Sequence, residues 1–486
     1  MLKDNDIKNI FFLGIGGIGM SALARYYQAC GKRVSGYDRT SSALTEELEA
    51  EGIWITYTDA PEVLDGLGLT RDNTLIVRTP AVPEDSVLYT WLREEGFEIR
   101  KRSEVLGDVT RSMHALCVAG THGKTTTSTM LAHILHDHVA AFLGGISMNY
   151  GTNYWKSPDA RYAVVEADEY DRSFHRLTPY ISVITAVDPD HLDIYGTPEA
   201  YREAFEHYTS LITGALIIKQ GLPITPRLQP GVKCYTYGVV VSLQPSTVSY
   251  QKPDFYAENI RVGNGTIVFD FHTPESVIAG IRLGVPVWVN IENAVAAMTA
   301  AFVLGKEDRY AMHEGAMADH LREAMSSFKG VQRRFNIHVN TPKVVYIDDY
   351  AHHPDEIATS IDSVRRLYPD HKFIGVFQPH LYTRTRDFAA GFARVLATLD
   401  ECVLLPIYPA REQPISGVSS EMLLERIKAE NEGMKEECVI VSKADLAKVL
   451  SEKVQRADVP VVVMTIGAGD IDRLVPAITE ELKGKK

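Results

Sequence analysis

The stretch "CVAGTHGKTTTS", Cys117 to Ser128, decides the fold. The apolar run "HALCVAG" leads into Gly120-Thr121-His122-Gly123-Lys124-Thr125, and "KTTTSTMLAHILHDH" continues with helical character. A strand that feeds a glycine loop and then a helix belongs to a parallel α/β sheet, and the loop amides, backed by the helix N-terminus, cradle phosphate oxygens. In that arrangement Lys124 reaches the β/γ-phosphates and the Thr125 hydroxyl ligates Mg²⁺. The loop is shorter than G-x-x-x-x-G-K-[ST], because Val118 stands where the first glycine would be.

Downstream, "YAVVEADEYD" and "ISVITAVDPDHLD" are apolar without alternation, as strands of a sheet covered on both faces must be. Glu166 and His191 follow their carboxyl ends, where an NTP site needs groups for its metal. Taken singly, Glu166 reads as a helix-cap carboxylate and His191 as a loop histidine. Their shared position beside a phosphate loop points to function.

Upstream, Asn9 to Asp38 reads "NIFFLGIGGIGMSALARYYQACGKRVSGYD". Gly14, Gly16 and Gly19 have the G-x-G-x-x-G spacing, and Asp38 follows by about 20 residues, as a dinucleotide fingerprint asks. Alone, this motif suggests an NAD-dependent dehydrogenase, which would leave the second loop, Glu166 and His191 unused.

The 486 residues exceed one ordinary domain. Apolar residues at 45% and charged ones at 23% fit a globular protein, and a net charge of −13 disfavours nonspecific nucleic-acid binding. The start, MLKDNDIKN, lacks the apolar segment of a secretory leader, and no apolar run is long enough to span a bilayer. The five cysteines are scattered without a C-x-x-C, which suits a reducing compartment, so a cytoplasmic location is expected.

Three α/β segments are expected, with boundaries near 110 and 328: residues 1–110, 111–328 and 329–486. The first has strands "IFFLGI", "KRVSGYD", "LIVRTPAV" and "FEIRKR" in a parallel sheet. The second ends in an antiparallel patch, "KCYTYGVV", "TVSYQ", "FYAENIRVG", "TIVFDFH" and "AGIRLGV", followed by the helix "NIENAVAAMTAAFVLG". The third has "KVVYIDDY", "KFIGVFQPH", "ECVLLPIYP" and "VPVVVMTIG".

"GTHGKTTT", "EADEYDRSF" and "DPDHLDIYG", in this order, resemble the Mur ligases, ATP-dependent amide-forming enzymes of peptidoglycan synthesis. "GIGGIGMSALA", "GVQRRF", "DDYAHHPDE" and "FQPHLYTRTRDF" extend the resemblance over nearly the whole chain, through "GAGDI" at 467–471. They narrow it to the activity that joins L-alanine to the carboxylate of UDP-N-acetylmuramate. The resemblance implies a UDP-binding Rossmann-like domain, a P-loop ATPase domain and a Rossmann-like C-terminal amino-acid domain, with ATP fully held only on domain closure. By matching motif, Gly120, Thr121, His122, Gly123, Lys124, Thr125 and Thr126 hold the ATP phosphates, and Thr125, Glu166 and His191 take the magnesium positions. Asn290 and Asn293 match the adenine-contacting asparagines, Arg334 the arginine on the phosphates and Asp349 the carboxylate on the ribose. His352, His380 and Arg384 match the set around the amino acid and acyl phosphate. Gly16, Gly17, Ile18 and Gly19 then hold the pyrophosphate of the UDP-sugar, with Thr79 and Ala81 in the nearby "TPAV" loop and Asp38 at the uridine ribose or base. Two positions depart from the family pattern: Val289, where histidine is usual, and Leu381, where a basic residue is usual and Arg384 or Arg386 would have to serve instead.

Other features read as ordinary surface. "HILHDHV" is expected to be a solvated helix terminus, Arg365-Arg366 a solvent-facing pair and 426–437 an exposed helix and loop. Within the superfamily, the alternative is the ligase that recycles a murein tripeptide onto the same nucleotide sugar, against which "FQPHLYTRTRDF" speaks. A nucleotide-binding regulatory protein without ligase activity would leave the metal and third-domain motifs unexplained.

Overall fold

A computed structural model describes residues 6–240, 251–263, 265–307, 316–410 and 412–484. The chain forms two compact units: Met1–Glu258 with Asp270–Ile281 and Glu292–Phe328, and Asn259–Phe269 with Arg282–Ile291 and Lys329–Lys486.

The first unit opens on five parallel strands, β1 (Asn9–Leu13), β2 (Arg33–Tyr37), β3 (Trp54–Thr56), β4 (Thr74–Arg78) and β5 (Glu98–Lys101), in the order β3-β2-β1-β4-β5. Every residue of β1 is buried, as a central parallel strand covered on both faces requires. The order reverses beside β1, so the loops after β1 and β4 open on one crevice. The three-residue β3 was not expected, and β5 is shorter than "FEIRKR" because Arg102 begins the helix Arg102–Ser112.

The second sheet contains β6 (His114–Ala119), β7 (Val139–Ser147), β8 (Thr152–Lys156), β9 (Tyr162–Ala167), β10 (Pro179–Ile184), β11 (Ala215–Lys219), β12 (Lys233–Val239), β13 (Phe255–Gly263), β14 (Thr266–His272) and β15 (Val277–Arg282). Their order is β15-β14-β13-β12-β11-β10-β6-β9-β7-β8, with β6 central and parallel to both β9 and β10. The antiparallel patch starts later than expected, because β12 runs parallel to both β11 and β13. An alternating strand fits either direction, so "KCYTYGVV" gave no sign of its orientation. β13, β14 and β15 are neighbours joined by two and four residues, too few for a parallel crossover. The expected strand "TVSYQ", apart from Gln251, lies outside the described residues.

The helix Ile18–Ala29 ties the two sheets together. Its Tyr26 ring meets Phe142 of β7 and Tyr154 of β8, at centroid distances of 5.3 and 6.1 Å. Asn153 of β8, fully buried, donates to Ile18 O (2.6 Å) and Ser21 Oγ (3.0 Å) and accepts from Arg25 Nη1 (2.5 Å). Arg25 also forks onto Glu51, so this buried charge is paired and hydrogen-bonded. The N-terminal turn of the first glycine helix is thereby fixed against the second sheet.

The second unit is built on β16 (Asn336–Asn340), β17 (Val344–Asp349), β18 (Lys372–Phe377), β19 (Glu401–Leu404), β20 (Cys438–Ile440) and β21 (Val461–Ile466), in the order β16-β17-β21-β18-β19-β20. Only β16 is antiparallel to its neighbour.

Two surface readings are corrected. His133 of "HILHDHV" is packed, with Nδ1 2.6 Å from Tyr150 Oη and Nε2 3.0 Å from Ser327 Oγ, and burial pushes its pKa down to about 4. Arg365 is not simply solvent-facing, because its guanidinium grips both oxygens of Asp400 at 2.8 Å. The stretch 426–437 is mostly exposed where its side chains are described, as expected.

Candidate active site

The glycine loop after β1 turns at Gly14 (φ +86°), and a Cβ there would lie 2.5 Å from Thr79 Cγ2. The two predicted loops therefore meet at the crevice where the strand order reverses. Gly16 N–H donates to Asp38 Oδ2 (2.8 Å), so the fingerprint carboxylate braces the loop itself. Gly17 caps the helix that starts at Ile18, and Ala81 is exposed in the turn beyond β4. Gly19 faces Arg102: a Cβ at Gly19 would stand 2.5 Å from the guanidinium. Arg102 in turn pairs with Asp168 at 2.8 Å.

The loop after β6 has the conformation its glycines predict. Gly120 has φ +135°, and any Cβ there would collide with Thr185 Oγ1 at 2.2 Å. Thr121 N–H donates to Ala186 O (3.0 Å), and Thr185 Oγ1 donates to His122 O (2.5 Å), so β10 supports the loop from the side. Gly123 is the N-cap of the helix Lys124–Ile134, which carries Thr125 and Thr126 in its first turn. Asn293 packs against Gly123, its Oδ1 2.7 Å from where a Cβ would be, and accepts from Thr127 Oγ1 (3.2 Å). Lys124 Nζ donates to Gly120 O (2.5 Å) and Glu169 Oε1 (2.9 Å). Glu169 is buried, and burial pushes its carboxyl pKa up against the opposing pull of Lys124.

The register Val118↔Glu166 sets Glu166 level with the residues that enter this loop. Gly144 N–H donates to Glu166 Oε2 (3.2 Å), and a Cβ at Gly144 would fall 2.2 Å from that oxygen. His191 has a left-handed backbone (φ 51°) and packs edge-on to Tyr170 at 5.1 Å. Among the described residues, no group of three His, Cys, Asp or Glu gathers to hold a metal ion. A hydroxyl and a carboxylate beside a phosphate loop nonetheless fit Mg²⁺, which keeps several waters and takes phosphate oxygens with only one or two carboxylates.

Glu166 also lines a cavity of about 110 Å³ that reaches Ile18 and Gly19 of the first glycine helix, with Arg102 and Asp168 on its wall. The cavity thus lies between the first glycine helix and the end of β9, whose Glu166 is level with Val118 at the entry to the second loop.

In the second unit, the turn before β16 is left-handed at Arg333 (φ 62°) and Phe335 (φ 53°), conformations that non-glycine residues adopt only under constraint. Arg333 Nη2 donates to Gly467 O (2.9 Å) and Gly469 O (3.1 Å), and Tyr350 N–H donates to Arg333 O (2.8 Å). The Arg334 guanidinium stands over the Tyr350 ring at 5.4 Å. Asp349 is buried and accepts from Phe335 N–H (3.2 Å) and Ser360 Oγ, so it holds this turn in shape. Asn290 is buried and donates to Val285 O (3.1 Å), and Val289 beside it is 38% exposed.

His352 Nδ1–H donates to Tyr350 O (3.0 Å), and the His352 backbone N–H donates to Glu356 Oε2 (2.9 Å). Arg384 Nη1 donates to His380 Nδ1 (3.3 Å), and the His380 ring stacks on Tyr408. Burial, followed by the Arg384 charge, pushes His380 down to about 4, so its imidazole is neutral near pH 7. Leu381 has φ 69° and caps the helix Tyr382–Asp387, which turns Arg384 toward His380, whereas Arg386 pairs with its exposed neighbour Asp387. Of the two arginines, Arg384 is the one that joins the predicted set.

Three functional candidates escaped the sequence reading. Arg102, Glu169 and Arg333 acquire their roles from packing against Gly19, Lys124 and Gly467, and none is marked by local spacing.

The chain matches "Mur ligase family, catalytic domain" over residues 9–114, "Mur ligase middle domain" over 118–301 and "Mur ligase, glutamate ligase domain" over 333–469. It is 53% identical to a UDP-N-acetylmuramate–L-alanine ligase of Phocaeicola vulgatus, covering 99% of each chain. It is 47% identical to one of Porphyromonas gingivalis, over 98% of this chain and 99% of the other. Among solved structures, a UDP-N-acetylmuramate–alanine ligase from Thermotoga maritima superposes with a TM-score of 0.77 at 27% identity, covering 98% of this chain and all of that one. A murein peptide ligase from Psychrobacter arcticus shares the fold, with a TM-score of 0.62 at 21% identity over 98% of each chain.

Proposed function

Because the chain belongs to the Mur ligase family, we infer that it is an ATP-dependent ligase joining L-alanine to the carboxylate of UDP-N-acetylmuramate, in cytoplasmic peptidoglycan precursor synthesis. One observation of the structure supports the reading: Glu166, level with Val118 at the entry to the phosphate loop, lines a cavity that reaches Ile18 and Gly19 of the first glycine helix.

Hydroxide is a poor leaving group, so a carboxylate does not acylate an amine directly. Transfer of the γ-phosphoryl group to the muramoyl carboxylate gives an acyl phosphate. The alanine amine then attacks its carbonyl carbon, and phosphate leaves with the electrons of the C–O bond. The amides of Gly120–Thr126 and the Lys124 ammonium stabilise the negative charge that builds on the phosphoryl oxygens. Thr125, Glu166 and His191 would hold Mg²⁺, which neutralises phosphate charge when bound. Asn290, Asn293, Arg334 and Asp349 serve the ATP nucleoside and phosphates, and His352, His380 and Arg384 receive the alanine and the acyl phosphate. Residues 1–110 bind the UDP-sugar, 111–328 bind ATP and 329–486 bind the amino acid. No helix among the described residues is long and apolar enough to cross a membrane.

With both carboxylate oxygens of UDP-N-acetylmuramate labelled with ¹⁸O, one label should appear in the released phosphate in each turnover, as read by mass spectrometry. Phosphate free of label would exclude the acyl phosphate.

A further inference from the structure

Two of the cysteines that are scattered in the sequence become neighbours in the second unit. Cys402 on β19 and Cys438 on β20 are register partners in adjacent parallel strands, so their side chains leave the sheet on the same face. Strands of one sheet run about 4.8 Å apart, inside the window of about 4.4–6.8 Å between Cα atoms that a disulfide requires. Both side chains are buried, and the Cys402 thiol donates a hydrogen bond to the Cys438 sulfur. That bond pushes the Cys438 pKa down, and the ammonium groups of Lys428 and Lys453 add to the effect against the pull of burial. Cys438 is therefore the better thiolate of the pair. Its strand has three residues and ends the sheet, with β19 as its one strand neighbour. A short edge strand opens more readily than the centre of a sheet, and that opening gives a reagent from solution access to both sulfurs. Of the other thiols, Cys30 and Cys234 are exposed and Cys117 is buried in β6 of the first unit.

We propose that Cys402 and Cys438 are a modification site, oxidised by hydroperoxides to a reversible disulfide that clasps the edge strand β20 to β19. The Cys438 thiolate attacks the outer peroxide oxygen, the O–O bond breaks, and the alcohol leaves with a proton from solvent. The Cys402 sulfur then attacks the sulfur of the Cys438 sulfenic acid, and water leaves with the proton of the Cys402 thiol. Two thiols are thereby oxidised and one hydroperoxide is reduced to an alcohol and water. The bond closes residues 402–438 into a loop, which limits the unfolded chain more than the folded one and so stabilises the second unit. That loop contains Tyr408, whose ring stacks on His380, so the clasp also restrains the segment that backs this histidine. The clasp needs no substrate, and it stands apart from the activity proposed above.

Treatment of the reduced full chain with excess tert-butyl hydroperoxide tests this, with free thiols then alkylated in urea and peptides read by mass spectrometry without reduction. The peptides of Cys402 and Cys438 should appear joined, lighter by two hydrogen atoms than the sum of their thiol forms. The oxidised chain should melt about 5 °C or more above the reduced one, and dithiothreitol should reverse both changes. Cys438→Ser should abolish the joined peptides and the rise in melting temperature. Cys402→Ala should do the same, and covers the case in which Cys438→Ser folds poorly. Recovery of Cys402 and Cys438 as alkylated thiols would overturn the proposal. So would joined peptides without a rise in melting temperature, or a rise that persists in both variants.

Discussion

Lys124→Ala should lower kcat by about 10³-fold or more, while affinity for UDP-N-acetylmuramate stays within about twofold of native. Lys124 is in the first turn of the helix behind the phosphate loop, and its ammonium lies among Gly120 O, Thr121 O and the Glu169 carboxylate. In the proposed function it is the loop's own cation for the transferred phosphoryl group, so its loss is expected to fall on the transition state. The sugar-nucleotide loop at Gly14–Gly19 belongs to a different sheet and shares none of these contacts. The substitution also strips a cation from Glu169, a carboxylate with only 3% of its side chain exposed. Breaking a buried pair from one side costs about 3–5 kcal/mol, so the variant should also melt earlier. Adding Glu169→Gln should restore much of the melting temperature and none of the turnover, which separates the catalytic from the structural loss. Kinetics with calorimetry would check this, and a variant that retains a tenth of native kcat would remove Lys124 from the chemistry.

Arg384→Met should reduce kcat/KM for L-alanine by about 100-fold or more, with the KM for UDP-N-acetylmuramate unmoved. The reason is the division of charge in the His380–Arg384 pair. His380 is held down to about 4, first by burial and then by Arg384, so from pH 6 to 8 it is a neutral hydrogen-bonding group and Arg384 carries the pair's positive charge. His380→Gln, which keeps hydrogen-bonding capacity, should therefore lose much less than Arg384→Met. The pH–rate profile should show no limb from His380 in that range. A histidine whose folded pKa lies below its unfolded value of about 6.5 binds more protons when unfolded. Its contribution to stability is present above about pH 6.5 and is lost as pH falls toward 4. A loss for His380→Gln as large as that for Arg384→Met would contradict the division.

Much of this was legible in the sequence because long parallel strands advertise themselves. "NIFFL", "HALCVA" and "YAVVEA" are apolar with no alternation, and each leads into a loop whose residues carry chemistry. What escaped was short or tertiary. β3 and β20 have three residues each, too few to show a period, and β12 pairs in parallel although its alternation permits either sense. Asp38 is where the dinucleotide fingerprint puts an acidic residue, yet it braces Gly16, a use that spacing does not reveal. Gly19 matches the same fingerprint, and the structure gives it a different reason: room for a guanidinium from a helix some eighty residues along the chain. Departures from the family pattern found partial answers. Leu381 supplies no charge, but its left-handed turn aims Arg384 at His380.

The central claim is that one chain couples ATP cleavage to amide formation between two specific partners. Its most direct test is ADP release measured with each reactant omitted in turn, alongside the mass of the nucleotide product. The account predicts ADP release only when ATP, Mg²⁺, UDP-N-acetylmuramate and L-alanine are all present, with a product heavier by one alanyl residue and no change in nicotinamide absorbance. ADP release that depends on a murein tripeptide in place of alanine, or a change in nicotinamide absorbance with no ADP, would contradict it.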